Sequence, residues 1–268
     1  MGFLLRGGPP PLPAKKRNDH LPPSSASFLK TVLTSLKYAK YYMGVVWKNW
    51  SHPRHTYAQH GEDLLIESLL APNSVKSFID VGANDGVLFS NTYKFAKNGA
   101  CGVCLEPSPP TFRKLRLNHL FHRKVKCIRA ALSDNPGSLP FIHDGYEAVL
   151  SRVASPDCTP TSDAKSIEVP AITFPQLLDH HPNFRKVDLL SIDVEGHEKQ
   201  VLEGLAEYPF QARLIVLETD KSEQNSLLSL TALQNYAPRY GNGVNLILAH
   251  KTQKLPVPTV LPPGFQKC

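Results

Sequence analysis

Ser77-Phe78-Ile79-Asp80-Val81-Gly82-Ala83-Asn84-Asp85-Gly86 opens the regular part of this chain. Ser77–Val81 has the length and apolar content of a buried strand. It runs into a loop with glycines at 82 and 86. Gly82 lets a ligand approach the backbone, and Gly86 is expected to open the next helix. Downstream, Val87–Lys97 has helical spacing, with Gly99 as its C-terminal stop. Gly102–Leu105 reads as a strand, Pro109–Leu120 as a helix begun by proline, and Val125–Ala131 as a strand. The alternation resumes with a helix at Phe174–His180 and a strand at Val187–Ile192. A helix at Glu198–Glu207, a strand at Leu214–Leu217, a helix at Leu227–Tyr236 and a strand at Val244–Ala249 complete it. Such alternation predicts an α/β fold: a mostly parallel sheet with helices on both faces. Residues 135–170, with five prolines, interrupt the rhythm and read as an insertion of loops and short strands.

Upstream, Asp63–Leu70 reads as a short helix. Residues 1–25, with six prolines and a Lys15-Lys16-Arg17 cluster, are expected to form a disordered tail. Residues 26–56 form a basic segment in which Phe28, Leu29, Val32, Leu33, Leu36, Ala39 and Met43 recur at helical spacing. Residues 28–50 therefore read as an amphipathic helix, expected to pack on the body with its lysines snorkelling; contact with an anionic membrane surface is the alternative. The tail from 251 to 268 has four prolines and reads as irregular.

The chain has 268 residues, of which 41% are hydrophobic, and no apolar run long enough to span a bilayer. That excludes a wholly disordered chain and a polytopic membrane protein. Five cysteines are too few for a disulfide framework, so a reducing, cytoplasmic setting is expected, although the acid-poor start also has transit-peptide character. Of the net charge of +7, residues 1–60 hold +8 and the remainder −1. A near-neutral body argues against nucleic acid as a partner.

In an open α/β sheet, ligands bind beyond the carboxyl ends of the strands. There the sequence places Asp80, Gly82, Asn84, Asp85 and Gly86, then Glu106, then Ser133 and Asp134. Asp193, Glu195 and His197 follow, and Glu218 ends the next strand. The glycine loop lacks the third glycine of a dinucleotide site, and its acids would repel a pyrophosphate. They suit a ligand carrying an ammonium and a sulfonium. Glu106, 24 residues beyond Gly82, stands where an acid accepts ribose hydroxyls. Together these features point to S-adenosyl-L-methionine, with Asp80, Gly82, Asn84, Asp85, Gly86, Glu106, Ser133, Asp134 and Asp193 as cofactor-binding candidates. A nicotinamide-dependent oxidoreductase and a catalytically silent S-adenosylmethionine-binding module are the alternatives.

Three segments resemble the FkbM family of S-adenosylmethionine-dependent methyltransferases. They are Tyr57-Ala58-Gln59-His60-Gly61-Glu62-Asp63, Phe78 to Gly86, and Val187-Asp188-Leu189-Leu190-Ser191-Ile192-Asp193-Val194-Glu195-Gly196-His197-Glu198. The second is similar to the family's cofactor loop, and the third to its Asp-Val-Glu-Gly-x-Glu segment. The resemblance covers residues 57–250. It implies the Rossmann-like class I methyltransferase fold, a seven-strand sheet with one antiparallel strand. It also implies O-methylation of hydroxyls on sugars and natural products. Transfer to a neutral hydroxyl needs a base or a metal. Asp193, Glu195 and His197 are the catalytic candidates, with His197 as base or with the two acids orienting it or holding a divalent cation. Cys101 and Cys104 lie in a strand and point to opposite faces, so a shared metal is not expected.

Overall fold

The structure is a computed structural model that describes residues 43–52, 54–72, 74–143, 152–153, 165–206, 208–220 and 222–268. The readings made for residues 1–42 lie outside the described residues.

Eight strands form the central sheet: β1 (Ser77–Val81), β2 (Cys101–Leu105), β3 (Val125–Ile128), β8 (Lys186–Ile192), β9 (Gln211–Glu218), β10 (Tyr236–Gly241), β11 (Asn245–His250) and β12 (Gln266–Lys267). Their spatial order is β12-β10-β11-β9-β8-β1-β2-β3. The run β3-β2-β1-β8-β9 is parallel throughout. In the seven-strand body of the sheet β11 is the antiparallel member, lying between β9 and β10. The two-residue β12 adds an eighth strand on the β10 edge, antiparallel to it. The order reverses direction at β1, which has β2 on one side and β8 on the other. Chain crossovers leave a crevice at such a switch point.

Among the described residues, a helix at 43–51 is followed by α1 (Glu62–Leu69), α2 (Tyr93–Lys97), α3 (Pro109–Asn118), α4 (Phe174–His180), α5 (Glu198–Ala206) and α6 (Gln224–Leu228). Each face of the sheet is buried against helices. Ile79, Val81, Val103, Leu190 and Ile215 meet Leu177, Leu178, Val201, Leu202 and Leu227 on one side. Phe78, Cys104, Leu189 and Val216 meet Leu65, Ile66, Phe95 and Leu115 on the other. A fully buried Leu, Ile or Phe contributes about 1.5–3 kcal/mol, so both layers hold the strand ends in place. Two sided burial is why these strands read as continuous apolar runs rather than alternating ones.

A second sheet, ordered β4-β7-β5-β6, comprises β4 (Ala131–Leu132), β5 (Gly137–His143), β6 (Arg152–Val153) and β7 (Lys165–Ile172). The strand expected over Val125–Ala131 is thus two strands in different sheets. Ala131, Phe141 and Val169 form its small core.

Two expected helices are corrected. The segment 87–92 is a loop, and α2 begins only at Tyr93. Asp85 Oδ1 accepts the backbone N–H of Val87 and of Leu88, each at 2.8 Å. Ser90 Oγ accepts those of Thr92 (3.2 Å) and Tyr93 (3.0 Å). Side chains thus take the donors that a helix would use. Gly86 therefore opens a loop, not a helix. Over Leu227–Tyr236 the helix ends at Leu228, a 3₁₀ turn spans Thr231–Leu233, and Tyr236 already begins β10. The proline-rich C-terminus is largely without regular structure but not detached: Phe265 is buried, and Leu255 and Leu261 pack on the same core as α1.

Candidate active site

The carboxyl ends of β1, β2, β8 and β9 border a cleft of about 300 Å³. At the end of β1 the chain turns with Gly82 at φ +83°. A Cβ there would overlap the carbonyl oxygen of Asp193, so glycine is what allows the ends of β1 and β8 to abut. Asp193 N–H donates to Val81 O at 3.0 Å across that junction. Beyond it, Glu195 (φ 54°) and Gly196 (φ 97°) are both left-handed and swing the chain into α5. Glu198 steadies this turn: its carboxylate accepts the N–H of Val194 at 3.1 Å and of Gly196 at 3.1 and 3.2 Å. A left-handed Glu is uncommon and held by its surroundings.

Of the residues singled out in the sequence, Asp80, Gly82, Asn84, Glu106, Asp193, Glu195 and His197 line the cleft. Asp85, Gly86, Ser133 and Asp134 are not part of its wall. Asp85 is spent on the 87–92 loop, as above, and its carbonyl accepts Asn118 Nδ2 at 2.8 Å. Gly86 faces away, where a Cβ would come within 2.6 Å of Leu115 and 2.8 Å of His119. Ser133 is buried behind His197, with Oγ 3.0 Å from His197 Nε2 and donating to Asp134 Oδ1 at 2.8 Å.

Burial sets the charge of the cleft. It pushes Asp80 up to about 7, against the Thr92 hydroxyl, which donates to its Oδ2 at 2.6 Å. It pushes Glu106 up to about 8, although Oε1 accepts Ser108 N–H at 2.7 Å. Asp193 and Glu218 are raised by burial as well. They are hydrogen-bonded to each other, so one proton is shared between them. Burial lowers His197 below its ordinary value and keeps the imidazole neutral, with the Asp134 charge opposing.

Asp193, Glu195 and Glu218 each offer a carboxylate oxygen, and these oxygens lie within 4.8 Å of one another. That donor set is of the hard-oxygen kind that divalent cations accept. The site reading omitted Glu218, although it ends a recognisable strand; its partner becomes evident only once β9 is placed beside β8. Glu62 and Asn245 also line the cleft and are joined by an Asn245 Nδ2–Glu62 Oε1 hydrogen bond of 2.8 Å. No sequence signal connects residues so far apart. Leu88, Phe89 and Val244 border the cleft as well and are exposed.

No curated protein sequence matches the chain. Among solved structures it is similar to precorrin-6y C5,15-methyltransferase from Geobacter metallireducens, at 11% identity and TM-score 0.43, covering 73% of this chain and 91% of that one. It is similar to an O-methyltransferase from Bacillus cereus in complex with SAH, at 12% identity and TM-score 0.44, covering 78% and 90%. It is also similar to a chain of a fibrillarin/Nop5p complex, at 14% identity and TM-score 0.43, covering 76% and 83%. The family described as the methyltransferase FkbM domain matches residues 80–239, from the acid of β1 into β10 and so across the carboxyl ends of β1, β2, β8 and β9 that border the cleft. By that match the chain belongs to the FkbM methyltransferase family.

Proposed function

We propose that this S-adenosylmethionine-dependent methyltransferase carries the methyl group to a hydroxyl oxygen of a small molecule, a sugar or a natural product. The observation that supports an oxygen acceptor is a neutral His197 lining the same cleft as the carboxyl groups of Asp193, Glu195 and Glu218. A neutral alcohol must give up its proton as the oxygen gains the methyl, and a positioned base takes it.

The residues present suit the cofactor. Asp80 and Glu106 are buried carboxyls on the wall of one cleft, held partly protonated by burial. A ligand with positive charge and hydroxyl groups lets both ionise, because opposite charge and hydrogen bonds favour the carboxylate. In this reading Glu106 accepts the ribose hydroxyls, and Asp80, Gly82 and Asn84 hold the methionine end. When bound, S-adenosylmethionine supplies an electrophilic methyl on a positively charged sulfur.

The chain's own part is to hold the acceptor and move its proton. Because Ser133 Oγ donates to Asp134, His197 Nε2 is the donor to Ser133, and Nδ1 keeps its lone pair. Nδ1 is the atom that takes the hydroxyl proton. The imidazolium so formed is stabilised through Ser133 and by the charge of Asp134. Asp85, Gly86, Ser133 and Asp134 then act from behind the wall, shaping the loop and fixing the imidazole. The pair Asp193–Glu218 orients the acceptor.

The test uses methyl-¹³C-labelled S-adenosylmethionine and a small-molecule extract from cells lacking the gene. The expected product carries its label on oxygen, identified by the carbon chemical shift of the new methyl. A product labelled on nitrogen or carbon overturns the oxygen assignment while leaving methyl transfer intact.

A further inference from the structure

Residues 43–51 are helical, and this helix has one face buried and one exposed. Val46 and Asn49 are buried, and Lys97 Nζ donates to the carbonyls of Asn49 and Trp50, each at 2.6 Å. A cation on the last carbonyls fixes the helix end. The adjoining, exposed side carries Trp47 and Trp50, 56% and 42% exposed. Their rings lie 5.1 Å apart, and Trp50 lies 5.3 Å from Phe121 in the turn after α3. Leu120, beside Phe121, is 52% exposed. Two chain segments distant in sequence thus build one apolar ridge. A lone exposed hydrophobic needs no explanation, but a contiguous ridge does.

The ridge sits in basic surroundings. Residues 43–61 contain Lys48 and Arg54 and no acid. Residues 107–133 contain Arg113, Lys114, Arg116, Arg123, Lys124, Lys126 and Arg129 and no acid. Arg123 and Lys124, two and three residues past Phe121, are exposed, as is Lys48 between the tryptophans. The near-neutral net charge of the body hides this one-sided stretch.

We propose that the Trp47–Trp50–Leu120–Phe121 ridge seats the protein peripherally on an anionic membrane surface. Tryptophan and phenylalanine rings enter the boundary between headgroups and acyl chains, while flanking Lys and Arg meet the anionic headgroups. Among the described residues no helix is long and apolar enough to cross a membrane. The charge alone would also suit RNA. The rings, however, are tilted against one another at 41° and 46°, which leaves no parallel faces for bases, and the ridge includes an aliphatic side chain.

Trp47 and Trp50 are the only two tryptophans of the chain, so intrinsic fluorescence reports on the ridge alone. The full chain is titrated with phosphatidylcholine vesicles, with vesicles containing phosphatidylserine, and with single-stranded RNA. The expected result is a blue shift with the anionic vesicles, reduced by salt. Sedimentation with the same vesicles should fall about tenfold or more in Trp47→Ser/Phe121→Ser. Unchanged S-adenosylmethionine affinity in that variant shows that it is folded. Arg123→Glu/Lys126→Glu, which leaves the ridge intact, should lose the preference for anionic vesicles. Three results overturn the proposal: no fluorescence shift with vesicles, a response to RNA alone, or vesicle binding that survives loss of the ridge.

Discussion

Two buried titratable clusters lie on opposite sides of the Asp85–Gly86 turn, and in both burial disfavours the charged form. In the cleft, Asp80 and Glu106 are pushed up to about 7 and 8. Behind the turn, Tyr93, His119 and His122 pack as three rings with centroids 5.2–5.5 Å apart. Burial pushes His119 down to about 3 and His122 to about 4. Among the described residues, their Nε2 atoms and the Tyr93 hydroxyl have no hydrogen-bond partner. The sizes of these shifts are comparable, yet the surroundings differ. The carboxyls border a cavity, whereas the imidazoles face each other and the space that a side chain at Gly86 would fill. A displaced pKa therefore does not by itself mark a binding site; a cavity of matching chemistry beside it does. If this distinction holds, changes in the cleft alter binding and turnover, while changes in the ring cluster alter stability alone.

The largest expected effect is on turnover. His197→Ala should lower kcat by about 10²–10⁴-fold, the range for a general base, with cofactor affinity little changed. Full turnover in that variant, measured under saturating cofactor, removes His197 from the chemistry. Next comes cofactor binding. Glu106→Ala should weaken S-adenosylmethionine binding by about 1.5–3 kcal/mol, as for loss of a charge-assisted hydrogen bond. By contrast, Glu218→Gln should change affinity by less than about tenfold, because an amide can still donate to Asp193 as the protonated acid does. If Glu218→Gln instead abolishes activity, and chelator does the same to the wild type, the three carboxylates hold a cation rather than a shared proton.

The smallest effect concerns acid stability and belongs to the ring cluster. The folded values of His119 and His122 lie below the ordinary 6.5, so the unfolded chain binds these protons first as pH falls. Their stabilising contribution is complete above about 6.5 and is lost as pH falls toward 4 and 3. Buried carboxyls act in the opposite sense, so the comparison is between wild type and His122→Phe. The variant should lose less melting temperature between pH 7 and 5, with cofactor affinity unchanged. An altered affinity would break the division between the two clusters.

The cleft was legible where function sits at strand ends. Asp80, Glu106 and Asp193 each end an apolar strand, and a parallel sheet brings such ends together. The loop at 87–92 was not legible. Val87, Leu88, Tyr93 and Phe95 imitate helical spacing, and only the structure shows Asp85 and Ser90 taking the backbone donors. β10 escaped notice because Pro238 and a bulge before Tyr240 break its alternation. Ser133 and Asp134 were recognised as strand-end residues, but their contact with His197 spans a fold that sequence spacing does not encode. The Tyr93–His119–His122 cluster gave no signal either, since its members come from the first residue of α2 and from the turn after α3, which meet only in space.

Cofactor binding in this site turns on cleft carboxyls that stay partly protonated until a cationic cofactor arrives. Calorimetric titration of S-adenosylmethionine into the protein at pH 7, in two buffers of different ionisation enthalpy, counts the protons exchanged on binding. With Asp80 at about 7 and Glu106 at about 8 in the free protein, binding that favours the carboxylates must release protons. Net release at pH 7, reduced in Glu106→Ala, is the predicted result, and affinity should tighten as pH rises through about 7 to 8. Binding with no proton exchange, or with proton uptake, would contradict it.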